Sequence, residues 1–563
     1  MAGLDALPKV LSDMGFKSLR PAQETPVLQL LSGRDVFAIL PTGGGKTLIH
    51  ACVTKALGKH NVVFSPLVAL MADQVEAMTR MGLRCAAINS SQPDALNRTA
   101  LAEWADGAID TLLVAPERME NEQFMNAMRL CKPTMVTVDE AHCLSIYAAV
   151  FRSSYTKVGN FIDEFNPDLV LAITATATNN IVRDVKKICR IENCALCKNF
   201  VPRDNIKLHS VWFNAPYSRY GRDKELERSM LSKTRKLIEE TDGSCIVYCS
   251  TVSDVEMVTK FLTQVGISTT FYHGQITNDV FKRSNQEDFM KDRAKVIVAT
   301  NAFGMGIDKP DIRLIVHFTP PGSVEAIAQE TGRASRDGKI AHCWMFNYPG
   351  ATGVQSFLAG KSNPTGNDVR KVFRYLDRIK DADGNVYETV ANMEKTTGVE
   401  TVSGALSILS NFECIERYEN ATKVFKILIG QNTVSEDMSP TRKAILDVVK
   451  EDGVFEKATG DHGRLYSIDM NLIVKKLAKV ETTIMTHLRQ LQKEGKIDLF
   501  PPFRGKVTRV LKDPSEEEYA WADEWRDAEM GKIQDIEKYL KTPDEQKTKF
   551  LTDYFKLDEE GRQ

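Results

Sequence analysis

The chain has 563 residues, a formal net charge of −2, and 43% hydrophobic and 26% charged residues. A chain of this length exceeds what one hydrophobic core supports, so several domains are expected. The near-neutral charge excludes a uniformly basic surface, and any nucleic-acid contact must come from local basic patches.

The sequence also shows no pattern typical of a membrane span, a secretory signal or a disulfide framework. No apolar run approaches the ~20 residues that span a bilayer, so no membrane contact is expected. The first twenty residues lack the basic and apolar regions of a secretory signal. The 11 cysteines are scattered and odd in number, which favours a reducing, intracellular setting. Bacterial cytoplasm and nucleus both remain open.

Residues 1 to about 350 alternate short apolar strands with helical stretches. One set of strands comprises DVFAIL (35–40), NVVFSP (61–66), RCAAIN (84–89), TLLVAP (111–116), MVTVDE (135–140) and LVLAITAT (169–176). A second set comprises CIVYCS (245–250), TTFYH (269–273), AKVIVAT (294–300), IRLIVHF (312–318) and HCWMFNY (342–348). Such strands predict parallel sheets covered on both faces. The expected fold class is therefore α/β, with tandem parallel-sheet domains at 1–205 and 206–350.

The pattern changes after residue 350. We predict a linker at 351–365, two helical modules at 366–430 and 438–513, and an acidic helical tail at 514–563. In the modules, Val402, Leu406 and Leu409 match Ile484, Leu488 and Leu491 at one constant offset, with helical spacing on an apolar face. This repeat predicts two helix-turn-helix units, each followed by a β-hairpin wing.

The segment PTGGGKT (41–47) joins a strand to a helix and has the composition of a phosphate-binding loop. Its glycines let backbone N–H groups approach phosphate, while Lys46 can reach the β- and γ-phosphates and the Thr47 hydroxyl can hold Mg²⁺. The candidate nucleotide-binding residues of the loop are Thr42, Gly43, Gly44, Gly45, Lys46 and Thr47.

The segment TVDEAH (137–142) follows an apolar strand and supplies a second half of the same site. Asp139 is suited to position Mg²⁺ and Glu140 to polarise an attacking water. In QETGRASRDG (329–338), Arg333 and Arg336 are spaced one helical turn apart, which predicts a pair on one helix face. If that face lines the cleft between the domains, it can stabilise charge on a departing phosphoryl group.

In combination these motifs resemble those of superfamily 2 helicases of the RecQ family, over about residues 10–350. GFKSLRPAQ (15–23) resembles the adenine-recognition motif; SPLVALMADQV (65–75) and APER (115–118) resemble strand-contacting motifs; ATNAFGMGIDKPDIR (299–313) resembles the most diagnostic motif of the second domain. The resemblance implies two RecA-like domains. It implies nucleotide contacts by Phe16, Arg20, Gln23, Gly306, Asp308 and Gln329, and strand contacts by Ser65, Arg118 and Thr300.

The chain departs from the family in two places. The loop SIYAAVFRSSY (145–155) keeps Tyr147, Phe151 and Arg152, which the resemblance places on DNA, but replaces neighbouring polar positions. Beyond Cys249 the chain has only Cys343 and Cys414, too few for the zinc site that the family often carries, so no zinc is expected.

The second module is the more basic one, because residues 439–512 contain 15 Lys and Arg against 9 Asp and Glu. Its predicted recognition helix offers Arg489 and Lys493, and the tip FPPFRG (500–505) offers Phe503 and Arg504 for duplex contact or strand separation. A stiff turn with a core aromatic is an alternative for this tip. The first module is expected to be a spacer or a protein-contact surface.

The resemblance implies an ATP- and Mg²⁺-dependent DNA helicase that moves 3′→5′ on single strands and acts at single-strand/duplex junctions, in repair, recombination or replication. Two alternatives are left open. One is an RNA helicase or remodeller, and the other is a nucleotide-gated DNA-binding switch with weak unwinding.

Overall fold

The computed structural model describes residues 2–41, 43–66, 68–89, 92–144, 157–198, 203–214, 222–304, 307, 309–419, 424–430, 438–458, 463–500 and 505–557. The chain divides into two compact units. Unit 1 comprises Met1–Pro364 and Trp521–Gln563, and unit 2 comprises Thr365–Ala520. None of the helices in these described ranges is long and apolar enough to cross a lipid bilayer.

The first lobe of unit 1 is built on a seven-stranded parallel sheet with strand order β3-β4-β2-β5-β6-β1-β7. Its strands are β1 Val36–Ile39, β2 Asn61–Phe64, β3 Cys85–Ile88, β4 Thr111–Val114, β5 Met135–Val138, β6 Leu169–Thr174 and β7 Ala195–Lys198. Its helices are α1 Ala2–Asp13, α2 Pro21–Leu31, α3 Lys46–Leu57, α4 Val68–Arg80, α5 Asp94–Ala105, α6 Glu122–Leu130, α7 Val158–Phe165 and α8 Asn179–Ile188. Short 3₁₀ helices span Pro116–Glu120 and Ala141–Leu144.

Both faces of this sheet are buried. Phe37 and Ile39 of β1 pack into one apolar cluster, whereas Val36 and Ala38 pack into the other on the opposite face. Successive side chains of a strand point to opposite faces, so a strand covered by helices on both sides must be apolar throughout.

The second lobe is built on a six-stranded parallel sheet with strand order β10-β11-β9-β12-β13-β8. Its strands are β8 Ile206–Trp212, β9 Ser244–Tyr248, β10 Thr269–Tyr272, β11 Val296–Ala299, β12 Ile312–His317 and β13 Ala341–Asn347. Its helices are α9 Lys224–Glu239, α10 Val252–Gln264, α11 Asp279–Met290, α12 Val324–Thr331 and α13 Gly353–Ser362. The predicted α/β class with two tandem parallel-sheet domains is confirmed.

The C-terminal residues of unit 1 return to the second lobe. Here Tyr539, Leu551 and Phe555 are buried in the same apolar cluster as the second sheet. The fully buried Lys547 donates to the carbonyls of Tyr539 at 3.0 Å and Thr542 at 2.7 Å. From Trp521 onward the predicted tail is therefore part of the same compact unit as the two sheets.

Unit 2 combines six helices with two antiparallel sheets in its described residues. The helices are α14 Gly366–Ile379, α15 Val390–Thr397, α16 Val402–Asn411, α17 Pro440–Asp452, α18 Met470–Leu477 and α19 Glu481–Lys493; two further helices, α20 Glu516–Lys541 and α21 Asp544–Tyr554, complete the chain. The strands are β14 Asn385–Val386, β15 Ile415–Glu419, β16 Val424–Ile429, β17 Val454–Ala458, β18 Arg464–Asp469, β19 Ile497–Phe500 and β20 Lys506–Val510. They form sheets of order β14-β20-β15 and β17-β18-β16-β19.

The prediction of a β-hairpin wing after each helical repeat is wrong, because the strands exchange partners between the modules. Strand β15 pairs antiparallel with β20, and β16 pairs antiparallel with β18 and β19. The reason is visible in β16, whose alternating Phe425, Ile427 and Ile429 are buried with Leu488 and Leu491 of α19. The apolar face of β16 is thus buried against the helices of the second module.

This exchange predicts that the first module does not fold alone. A fragment of residues 366–430 is expected to show no cooperative thermal transition, because β15 lacks β20 and β16 lacks both of its neighbours. The fragment 365–520 is the control and is expected to unfold cooperatively. Circular dichroism melting and amide NMR dispersion measure this, and a dispersed, cooperatively melting 366–430 fragment would contradict the pairing.

Candidate nucleotide site

The loop between β1 and α3 has a backbone that only glycine adopts easily. Gly43 and Gly45 have φ of +77° and +73°, in the left-handed region. A Cβ on Gly44 would lie 2.9 Å from the Pro41 carbonyl oxygen. The loop leads directly into α3, which begins at Lys46 and Thr47. A glycine-lined loop at a helix N-terminus fits a phosphate group; Thr42 lies outside the described residues.

Residues of the predicted adenine-recognition motif hydrogen-bond the backbone carbonyls of this loop. Arg20 Nη1 donates to the Gly43 carbonyl at 2.8 Å, and Gln23 Nε2 donates to the Gly44 and Gly45 carbonyls at 3.1 and 3.0 Å. The Gln23 side chain, 2% exposed, also accepts from the Arg20 backbone N–H at 2.8 Å. The half-buried Phe16 packs on the apolar cluster beneath. These contacts fix the loop; adenine contacts by the same residues stay a prediction.

The acidic pair lies at the carboxyl end of β5, opposite the loop lysine. Lys46 Nζ is 2.7 Å from Glu140 Oε1 and 3.9 Å from Asp139 Oδ1. The Glu140 backbone has φ +48°, which is uncommon for a residue with a Cβ and occurs at functional sites. The structure thus brings together Lys46, Asp139 and Glu140, which are distant in sequence.

Gln74 is a member of this site that the sequence pattern did not single out as part of it. Its Nε2 donates to Asp139 Oδ2 at 3.0 Å, while the Glu140 N–H donates to Asp139 Oδ1 at 2.9 Å. Both oxygens of the Asp139 carboxylate are therefore oriented. The available signal was a lone amide in the motif 65–75, at the point where α4 passes the end of β5.

The pair Lys46 and Glu140 is held in its charged form. Burial disfavours the charge on each, but their mutual attraction outweighs it, so the pKa of Lys46 is raised and the pKa of Glu140 is lowered. Burial raises the pKa of Asp139, with the Glu140 charge adding to the effect and Lys46 opposing it. An ionised Glu140 is the form that can orient and polarise a water molecule.

A chain of polar contacts continues from the acidic pair to the second lobe. His142 Nδ1 lies 3.5 Å from Glu140 Oε2 and 2.8 Å from Thr174 Oγ1. Thr174 Oγ1 donates to the Thr176 carbonyl at 3.1 Å, and Gln329 Nε2 of the second lobe donates to Thr176 Oγ1 at 3.2 Å. Gln329, a candidate nucleotide residue, therefore contacts the first lobe through Thr176.

The two arginines of the second lobe reach the phosphate loop. A Cβ on Gly43 would lie 3.1 Å from Arg336 Nε, so this side chain lies against the loop. Arg333 is 4% exposed, its charge acts on both Lys46 and Glu140, and its buried Nε has no hydrogen-bond partner in the described ranges. Donors of this kind fit a phosphate between the lobes.

The prediction that both arginines share one helix face is wrong, because α12 ends at Thr331. Arg333 and Arg336 lie on consecutive turns, separated by Ser335 with φ +46°. Arg203 donates to the carbonyls of Gly332 and Ser335 and so stabilises both turns. Arg203 is a second site residue that the sequence did not predict, because its partners Gly332 and Ser335 lie far along the chain.

The predicted strand-contacting residues of unit 1 lie at the carboxyl ends of strands. Ser65 follows β2 and is buried, Arg118 follows β4 and donates to the Asn89 carbonyl at 2.8 Å, and Thr300 follows β11. In unit 2, Arg489 and Lys493 are exposed on α19. Several predicted residues lie outside the described ranges, namely Tyr147, Phe151, Arg152, Gly306, Asp308, Phe503 and Arg504.

No group of three or more His, Cys, Asp or Glu side chains within the described ranges is placed to hold a metal ion. Cys189, Cys194 and Cys197 are buried free thiols, and burial raises the pKa of each.

Two parallel-sheet lobes with a phosphate loop on one and arginines on the other define the motor core of the helicase superfamilies. Residues 20–185 match the family model of the DEAD/DEAH box helicase, and residues 229–338 match the helicase conserved C-terminal domain. The chain is 32% identical to the probable ATP-dependent DNA helicase RecS of Bacillus subtilis, over 66% of this chain and 72% of that protein. The chain belongs to the RecQ family of superfamily 2 helicases.

Other relatives are matched over a smaller share of their length. The RecQ-like DNA helicase blm-1 of Caenorhabditis elegans is 33% identical over 65% of this chain and 38% of its own. The ATP-dependent DNA helicase RecQ of Haemophilus influenzae is 32% identical over 61% of this chain and 53% of its own. Among solved structures, the Mycobacterium smegmatis helicase Lhr bound to ssDNA and AMP-PNP covers 83% of this chain and is itself 61% covered, with a TM-score of 0.50 and 16% identity. That likeness concerns the fold alone.

Proposed function

We propose that this chain is an ATP-dependent DNA helicase that moves 3′→5′ on single-stranded DNA and opens duplex junctions, in DNA repair, recombination or replication inside the cell. The observation that carries the proposal is the position of Arg333 and Arg336. Both belong to the second lobe, yet Arg336 lies against Gly43 of the phosphate loop in the first lobe and the charge of the buried Arg333 acts on Lys46 and Glu140. A site completed only when two lobes meet can convert hydrolysis into motion.

The residues of the first lobe have separate roles in ATP hydrolysis. Lys46 must exchange its bond with Glu140 for the phosphates, which leaves the Glu140 carboxylate available to orient the attacking water. Thr47 and Asp139 would hold Mg²⁺, and Gln74 already orients the Asp139 carboxylate. Mg²⁺ neutralises charge on the β- and γ-phosphates when it is bound. Arg333 and Arg336 stabilise the charge that develops as the bond breaks.

Contacts with DNA are proposed at the carboxyl ends of the strands and on the basic helix of unit 2. Ser65, Arg118 and Thr300 lie where loops leave the sheets, and they would contact the sugar–phosphate backbone without sequence preference. Arg489 and Lys493 are four residues apart on α19 and both exposed, which suits duplex phosphates. The relatives named as DNA helicases support DNA over RNA as the substrate.

A strand-displacement assay tests this proposal. The chain is expected to unwind a 3′-tailed DNA duplex with ATP and Mg²⁺, whereas Lys46→Ala is expected to bind the DNA without unwinding it. A 5′-tailed duplex tests direction and a 3′-tailed RNA duplex tests the substrate. Unwinding of the RNA duplex alone, or ATP-sensitive DNA binding with no displacement, would overturn the proposal.

The pH dependence of ATP hydrolysis is expected to report on His142. Burial disfavours its charge, but Cys143 Sγ at 3.7 Å and the Glu140 carboxylate outweigh burial and raise the pKa of His142 to about 9. Its favourable interactions with Cys143 and Glu140 are therefore complete below its ordinary pKa near 6.5 and are lost as the pH rises through about 9. We expect kcat to fall across that upper range, and we expect His142→Gln to be slower at neutral pH and to lack this decline. An identical alkaline decline in the variant would assign it to another group.

A further inference from the structure

The segment 544–557, called here the bridging segment, contacts both lobes of unit 1. On the second lobe, Leu551 and Phe555 are buried in the apolar cluster of the sheet. On the first lobe, Leu557 is buried in one of the two apolar clusters, and Lys198 Nζ of β7 donates to the Phe555 carbonyl. The segment makes these contacts in the same arrangement of the lobes that brings Arg336 to the phosphate loop.

One contact of the bridging segment is made with the helix that precedes the arginines. Tyr554 Oη donates to Glu325 Oε1 at 3.1 Å, in the first turn of α12. The other oxygen, Glu325 Oε2, is buried and has no hydrogen-bond partner within the described ranges. A partly buried carboxylate with so few donors depends strongly on each one, so the Tyr554 hydroxyl determines where this carboxylate can lie.

Glu325 is connected to the nucleotide site through one turn of helix. Gln329 is four residues further along α12 and so on the same face, where it donates to Thr176 of the first lobe. Thr176 accepts from Thr174, which hydrogen-bonds His142 beside Glu140. The same helix then leads into the turns that carry Arg333 and Arg336.

We propose that the bridging segment is a working part of the motor and that Tyr554 is a positioning residue for ATP hydrolysis. Through Glu325 it fixes α12 so that Gln329 meets Thr176 and the arginines meet the phosphate loop. This inference rests on the proposed ATPase function of the site. It assigns a role to Tyr554 and the bridging segment, which lie far from the phosphate loop in sequence and outside both matched family models.

A double-mutant cycle tests the inference on the full chain. Tyr554→Phe keeps the ring and removes the hydroxyl, and Glu325→Gln removes the charge of its partner. Each is expected to lower kcat of DNA-stimulated ATP hydrolysis by roughly 5-fold with KM for ATP unchanged, because the contact acts on the transition-state arrangement. The double variant is expected to fall no further than either single variant.

The matched control is Thr552→Val, which removes an exposed hydroxyl from the same helix α21. It is expected to hydrolyse ATP like the wild type, and all four variants are expected to melt at the wild-type temperature. A Tyr554→Phe variant as active as Thr552→Val, or losses that multiply in the double variant, would overturn the inference and leave the proposed function intact. A wild-type chain that hydrolyses no ATP would overturn both.

Discussion

Replacement of Arg336 by alanine is expected to lower kcat for DNA-stimulated ATP hydrolysis by roughly 10³-fold. The guanidinium lies against Gly43 of the phosphate loop, where charge accumulates as the terminal phosphoryl group departs. Because this charge is greatest in the transition state, the loss is expected in kcat with little change in KM for ATP. Steady-state hydrolysis at saturating single-stranded DNA measures both constants.

Two further variants define what the arginine contributes. Arg336→Lys keeps the charge but loses the planar fork of donors, so only a partial recovery over Arg336→Ala is expected. Lys339→Ala removes an exposed cation three residues away and is expected to hydrolyse ATP at the wild-type rate. An Arg336→Ala variant as fast as Lys339→Ala would mean that the two lobes do not share one nucleotide site.

Replacement of Glu140 by glutamine is expected to lower kcat by about 10²- to 10⁴-fold while nucleotide binding persists. The amide cannot accept a proton from water. It also releases Lys46 from the ion pair at 2.7 Å, so the lysine is free for the phosphates. Hydrolysis assays combined with titration of a fluorescent ATP analogue separate the two effects, with binding expected at least as tight as in the wild type.

The matched control for this variant is Glu103→Gln, which neutralises an exposed carboxylate on α5. It is expected to retain wild-type hydrolysis and binding. Loss of nucleotide binding in Glu140→Gln with a wild-type melting temperature would contradict the assigned role, because the carboxylate would then serve binding rather than the chemical step.

The sheets of unit 1 were largely predictable from sequence because their central strands are buried on both faces. Eleven strands were expected; the structure adds β7, Ala195–Lys198, and β8, Ile206–Trp212. Each lies at the edge of its sheet and has only one neighbouring strand. Their side chains are partly exposed, so the segments ALCK and IKLHSVW contain polar residues and lack a continuous apolar run.

The site was predictable where its chemistry is local in sequence. The glycine loop and the acidic pair are each contiguous in sequence. Their residue types indicate phosphate binding for the loop, and Mg²⁺ and water positioning for the acidic pair. Gln74 and Arg203 were missed because their partners, Asp139 and the turn at Ser335, lie far along the chain. Such contacts depend on which helix packs beside which strand end, and no short segment of the sequence predicts that packing.

The strand pairing of unit 2 was not predictable for a related reason. Strands β15, β16, β19 and β20 have compatible lengths, and a local pattern favours pairing between neighbours in sequence. The observed exchange satisfies the apolar face of β16, which packs on the helices of the second module. Only the sum of such contacts selects one pairing over the other.

The exchanged strands also set an order of events during protein synthesis. Strand β15 leaves the ribosome long before β20, its hydrogen-bonding partner in the three-stranded sheet. Until Lys506 has emerged, the nascent chain therefore carries unpaired strand edges, which favour aggregation and attract chaperones. A ribosome that stalls between these two strands releases a product in which unit 2 cannot complete its sheets and the second lobe lacks the C-terminal helices that pack on it.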